Sequence, residues 1–135
     1  MQKNIRTWAH PMWSYIHSLP NLSGPNREER IACIFALLVS IIPCDICSEH
    51  SLAWMQKYPP YNVLPGGFGL YFYNLHNSVN LRTYTQRANR SVLTRYRMEP
   101  SYSLSRLSSA ILKFRSDDYT RAVLVDVEAL TVNSL

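Results

Sequence analysis

The sequence predicts an all-α protein: a four-helix bundle with a short fifth helix, followed by a C-terminal extension whose structure the sequence leaves open. Three observations carry this. Apolar residues recur at helical spacing along residues 31–42. Proline and glycine clusters at Pro20 to Pro25, Pro59-Pro60 and Pro65-Gly66-Gly67 cut the chain into helix-length pieces joined by short loops. No stretch of the first hundred residues alternates as a strand would.

The elements follow in order. The first helix is expected over about residues 11–19, with Pro11 in its first turn, where a missing N–H costs nothing. Pro25 opens the second, with Glu28 and Glu29 near its positive end. Ile31, Phe35, Leu38 and Ile42 form one apolar stripe on it, and Ile34, Leu37 and Ile41 a second. A helix apolar on two sides lies deep in a core or is shared with another subunit. Pro43 ends it. The third helix spans about residues 44–57 and the fourth about 68–87. Beyond Pro100, Leu104, Leu107, Ile111 and Phe114 fit a short amphipathic helix, whereas residues 123–127 suit a strand, a helix or a tail equally. The division expected is one domain over residues 1–100 and an extension over 101–135.

Composition narrows the class. With 47% hydrophobic and 17% charged residues, a chain of 135 residues is globular and able to bury a core. Net charge is +5, but no dense Lys/Arg run marks a nucleic-acid surface. The longest apolar run, twelve residues interrupted by Ser40, is too short to span a bilayer. Residues 1–8 are polar and lack the apolar core of a signal peptide. Three cysteines are too few for a secreted disulfide scaffold, so a cytosolic protein with working thiols is expected.

Two of those thiols are Cys44 and Cys47, in Cys44-Asp45-Ile46-Cys47. At a helix N-terminus, the macrodipole and free N–H groups favour thiolate. Residues three apart meet across one turn, so the pair can open and close a small disulfide and pass two electrons by exchange. A zinc site is the alternative: Cys44, Cys47 and His50 have ligand-like spacing, with His10, His17 or His76 as a fourth ligand. A thioredoxin-like reading needs a strand before the motif, and residues 31–42 read as helix instead. Cys33, among apolar residues, is expected to be buried and inert.

His76, Asn77 and Asn80 share one face of the fourth helix, and Trp13 and His17 one side of the first. Amide and imidazole groups near apolar residues need hydrogen-bond partners. Either these rings are ordinary core packing, or together they suit a flat ligand with polar edges.

In order and spacing, Trp13-Ser14-Tyr15-Ile16-His17, Pro43-Cys44-Asp45-Ile46-Cys47-Ser48-Glu49-His50, Tyr58-Pro59-Pro60 and Leu75-His76-Asn77-Ser78-Val79-Asn80 resemble the Erv/ALR family of FAD-linked sulfhydryl oxidases. The likeness runs from about Trp8 to Arg97, and the compact form is most similar to the branch carried by large DNA viruses. The resemblance implies FAD at the mouth of a helical bundle and a homodimer packed through the first two helices. It gives Trp13 and His17 the adenine side of FAD, with His76, Asn77 and Asn80 completing the pocket. It places Arg82 within reach of phosphate or ribose and makes Arg95-Tyr96 the basic–aromatic pair that closes the site. His10 and Tyr71 stand where Arg and Trp are common, and the extra cysteine pair of cellular relatives is absent. Residues after Pro100 have no counterpart.

The activity so implied is a thiol oxidase. A substrate thiolate attacks Cys44, the outer sulfur, and Cys47 passes electrons through FAD to oxygen, giving hydrogen peroxide. With no second dithiol as an internal shuttle, the disulfide is expected to go to a separate thiol protein, plausibly a thioredoxin-like carrier. Neither nucleic acid nor a membrane span has a place in this reading. The expected location is the cytoplasm, of a host or within a virion if the chain is viral.

Overall fold

A computed structural model describes residues 2–64, 67–82 and 99–132, and these contain six α-helices, two short 3-10 turns and no strand. The helices are α1 (Gln2–Ser18), α2 (Arg27–Val39), α3 (Asp45–Lys57), α4 (Phe68–Arg82), α5 (Pro100–Leu112) and α6 (Asp118–Thr131). The all-α expectation holds.

α1 begins nine residues before Pro11, so the proline lies inside the helix rather than at its start. Its ring removes one backbone hydrogen bond. Packing on both sides of it overrides this, because Trp8, Met12, Tyr15 and Ile16 are all buried. α2 starts after Gly24 (φ 98°) and Asn26 (φ 55°), whose left-handed backbones turn the chain between the first two helices. It ends at Val39, before Pro43. Ser40 Oγ donates to the Leu37 carbonyl at 2.7 Å, and the residue before a proline is pushed out of the helical region.

Both apolar stripes of α2 are used within the chain. Phe35 meets Phe72 and Tyr71 of α4 edge-on. The other side, carrying Arg30 and Ile34, faces α6. The remaining side, with Glu29, Cys33, Ala36 and Ser40, faces solvent. Cys33 is therefore exposed, not buried as expected, because two stripes already account for the core contacts of this helix.

Residues 101–132 are not a strand or a loose tail. α5 opens on Pro100, a natural first helical residue, and α6 on Asp117, whose carboxylate accepts from the Thr120 N–H at 3.0 Å. That capping bond holds the Asp117 carboxyl below its ordinary value of 3.8. Phe114, expected on the amphipathic helix, falls just past the end of α5. α5 packs along α1 and α6 along α2. Leu104, Leu107 and Ile111 of α5 and Val123, Leu124 and Val127 of α6 join the same buried cluster as Met12, Tyr15, Ile34 and Leu38. The α1–α2 pair, which the resemblance gives to a dimer contact, is thus covered by the chain's own C-terminal helices.

Candidate functional site

The site is built where α3 meets α4. Cys44 is the N-cap of α3, one residue from the expected start, and its sulfur accepts the Cys47 N–H at 3.2 Å. Cys44 and Cys47 are joined as a disulfide with Cα atoms 5.2 Å apart. Both are half-buried, and Asp45 and Ile46 between them are exposed. On reduction, the first-turn N–H groups and the positive end of the helix favour a thiolate at Cys44.

Two side chains fix α3 in place. Ser48 Oγ donates to the Val39 carbonyl at 2.8 Å, satisfying an acceptor left open at the end of α2. His50 Nε2 and Ser78 Oγ are hydrogen-bonded at 3.0 Å, tying the dithiol helix to the middle of α4. Ser78 stands between Asn77 and Val79, so this bond sits within the segment that carries His76, Asn77 and Asn80.

Of those residues, His76 meets the first helix. Trp13 stacks on His76 with ring centres 3.9 Å apart and planes 8° apart. His17 lies 5.7 Å from Trp13, at 28°, and its Nε2 is hydrogen-bonded to His76 Nδ1 at 2.9 Å. One imidazole must donate and the other accept, so the pair shares a single proton across the bond. His17 and Asn77 are buried, while Trp13, His76 and Asn80 are half-buried. Asn77 and Asn80 lie on the His76 face of α4 by helical register. Arg82 is the last residue of α4; its side chain, and Tyr96 altogether, lie outside the described residues.

This donor set fits a heteroaromatic cofactor such as FAD. Near-parallel rings offer a flat face, and imidazole and amide groups offer edges that donate and accept. The Trp13–His76 stack is closed at 3.9 Å, so no third ring enters between them and a ligand meets its outer faces and edges. Tyr71, at the position expected to depart from Trp, donates its hydroxyl to the Tyr58 carbonyl at 2.6 Å; burial pushes its pKa up to about 12.

A zinc centre is not assembled. Among the described residues no group of three or more His, Cys, Asp or Glu side chains is placed to hold a metal ion. Cys44 and Cys47 bind each other, and His50, three residues on, engages Ser78. The sequence showed His50 on the cysteine face of α3, but not its partner. No described helix is long and apolar enough to cross a membrane. A groove of about 440 Å³ between α5 and α6, lined by Ser101, Ser105, Arg121 and Val125 among others, includes none of the site residues.

The model of the Erv1 / Alr family matches residues 7–99. The chain is 28% identical over 72 residues to the FAD-linked sulfhydryl oxidase ERV2 of Saccharomyces cerevisiae; the match covers 50% of this chain and 37% of that protein. No solved structure gives a significant match. A family match over more than half of the chain, spanning both the dithiol and the α1–α4 ring cluster, places this protein in the Erv1/Alr family.

Proposed function

We propose that the chain is an FAD-linked sulfhydryl oxidase that introduces disulfides into thiol proteins. One observation carries this: a disulfide at a capped helix N-terminus, tied by His50–Ser78 to the helix whose rings stack on Trp13. Membership of a family with a named FAD-linked sulfhydryl oxidase among its relatives supports it.

The residues act as follows. A substrate thiolate attacks Cys44 Sγ; the Cys44–Cys47 bond breaks and Cys47 leaves as thiolate. A second substrate thiolate attacks the substrate sulfur of the mixed disulfide. The substrate disulfide departs and Cys44 is released as thiolate, so the enzyme dithiol now holds the electron pair. The α3 N-terminus stabilises the thiolate at Cys44, where the Cys47 N–H already points. Cys47 takes the inner role. Trp13, His17, His76, Asn77 and Asn80 would hold the cofactor, and the resemblance assigns Arg82 and Tyr96 to the same site. FAD, when bound, supplies the chemistry that passes the electron pair to oxygen as hydrogen peroxide. Cys33, the third cysteine, is unpaired and sits on the exposed side of α2, so the disulfide goes to a separate protein, a thioredoxin-like carrier being the fitting kind.

The test compares the purified chain with its Cys47→Ser variant. The chain should be yellow with bound flavin, and Cys47→Ser should retain the flavin while losing thiol-driven oxygen consumption. The same variant should trap a substrate as a mixed disulfide on Cys44. Wild-type turnover in Cys47→Ser would refute the assignment.

A further inference from the structure

We propose that α5 and α6 take the place of a second subunit: they cover the α1–α2 face from within the chain, so that no second copy docks there. The family match ends at residue 99, and α5 begins at Pro100. The hairpin therefore lies beyond the family match, and it packs on α1 and α2. One side of α2 is spent on α4, through Phe35 and Phe72. The other side, which carries Arg30 and the fully buried Ile34, is covered by α6. An apolar helix face of that kind requires a cover.

The cover is specific rather than a greasy contact. α6 runs antiparallel to α2 and is locked to it at both ends. At one end Tyr119 Oη donates to Ser40 Oγ at 2.9 Å, and Arg115, in the turn before α6, donates to the Ser40 carbonyl at 3.1 Å. At the other end Arg30, only 2% exposed, donates to the Leu130 carbonyl at 2.9 Å and the Thr131 carbonyl at 3.4 Å. Its remaining bonds go to the Ser23 and Pro25 carbonyls. Among the described residues no carboxylate is paired with this guanidinium; its counter-charge is the negative C-terminal end of α6. Tyr15, fully buried on α1, completes the lock with a 2.6 Å bond to Thr131 Oγ1. A buried cation and a buried phenol, each satisfied by the last turn of α6, are the marks of a face built to stay covered by that helix.

The proposal concerns assembly and does not rest on the oxidase reading. Sedimentation of the full-length, flavin-loaded chain over a wide concentration range should give the mass of one chain, 15.6 kDa. A two-chain species whose chemical cross-links join α1 or α2 of one copy to α1 or α2 of the other would overturn it. Val127→Asp in the full chain should release α6 and make the mass concentration-dependent, with self-association strengthened by about tenfold or more. A folded Val127→Asp chain with released α6 and wild-type association would also overturn it. If that variant does not fold, Val127→Ala serves: hydrogen exchange should quicken in α6 and α2 together. Quickening in α6 alone would count against the cover.

Discussion

His50 is the residue at which the dithiol and the ring cluster are joined. Its bond to Ser78 spans 28 residues of sequence and ties α3 to α4 within the site. A neutral hydrogen bond of this kind contributes about 1 kcal/mol to stability. Its larger effect is on position, because electron transfer from the dithiol depends on where α3 sits. His50→Ala is expected to lower kcat by roughly tenfold with the thiol KM little changed and the melting temperature lowered by only a few degrees, since small misplacements near reacting groups cost rate. Ser78→Ala should do the same, and the double variant should be no worse than either single one. Multiplying effects in that cycle would show that the two side chains do not act as a unit. The Cys47-to-His50 spacing was plain in the sequence and suggested a shared face. Nothing in it distinguished a metal ligand from a hydrogen-bond partner, because the deciding atom, Ser78 Oγ, lies on another helix.

Among the elements, α3 was the most legible: Pro43 before it and the cysteine pair fix its start, and the structure caps it on Cys44. The α2 stripes were equally plain, but periodicity shows only that a side is apolar and never what lies against it. That is why the second stripe was open to a subunit contact until α6 was seen on it. The start of α1 was misplaced because Pro11 is a natural first residue, and burial of Trp8 and Met12 outweighed that local preference. Those side chains contribute about 1.5–3 kcal/mol each when buried, enough to offset a proline inside a helix. The helix therefore carries a removable local cost. Pro11→Ala returns an N–H that can bond to the carbonyl of Thr7 and should stabilise the protein by about 1–3 kcal/mol, less what the looser unfolded chain regains. Thermal melting should move upward by several degrees without loss of bound flavin. A lower melting temperature would mean that the proline ring itself packs in the core.

The whole molecule behaves as one unit if the buried cluster is what holds it together. The division at residue 100 was read from a change in pattern, and the family match ends at nearly the same place. Packing ignores that boundary: Leu107 of α5 and Val127 of α6, both with no exposed surface, share one cluster with Tyr15, Ile34 and Leu75. A hairpin held only by surface contacts would melt before the bundle, whereas one that supplies core residues must melt with it. We expect a single unfolding transition, with helix content, aromatic signal and flavin release coinciding. Leu107→Ala should lower the stability of that one transition by about 2–5 kcal/mol, the cost of a cavity in a closed core, although the substitution lies outside the family domain. Two separated transitions, with α5 and α6 lost first while flavin remains bound, would show instead that the family domain is complete by residue 99 and merely decorated. The buried Arg30 sharpens the distinction: once α6 leaves, its guanidinium keeps the Ser23 and Pro25 carbonyls but loses those of Leu130 and Thr131. A half-satisfied cation in an apolar setting destabilises the α2 end of the bundle, so a chain that has lost the hairpin is weakened throughout its core until another surface, such as that of a second copy, covers the face.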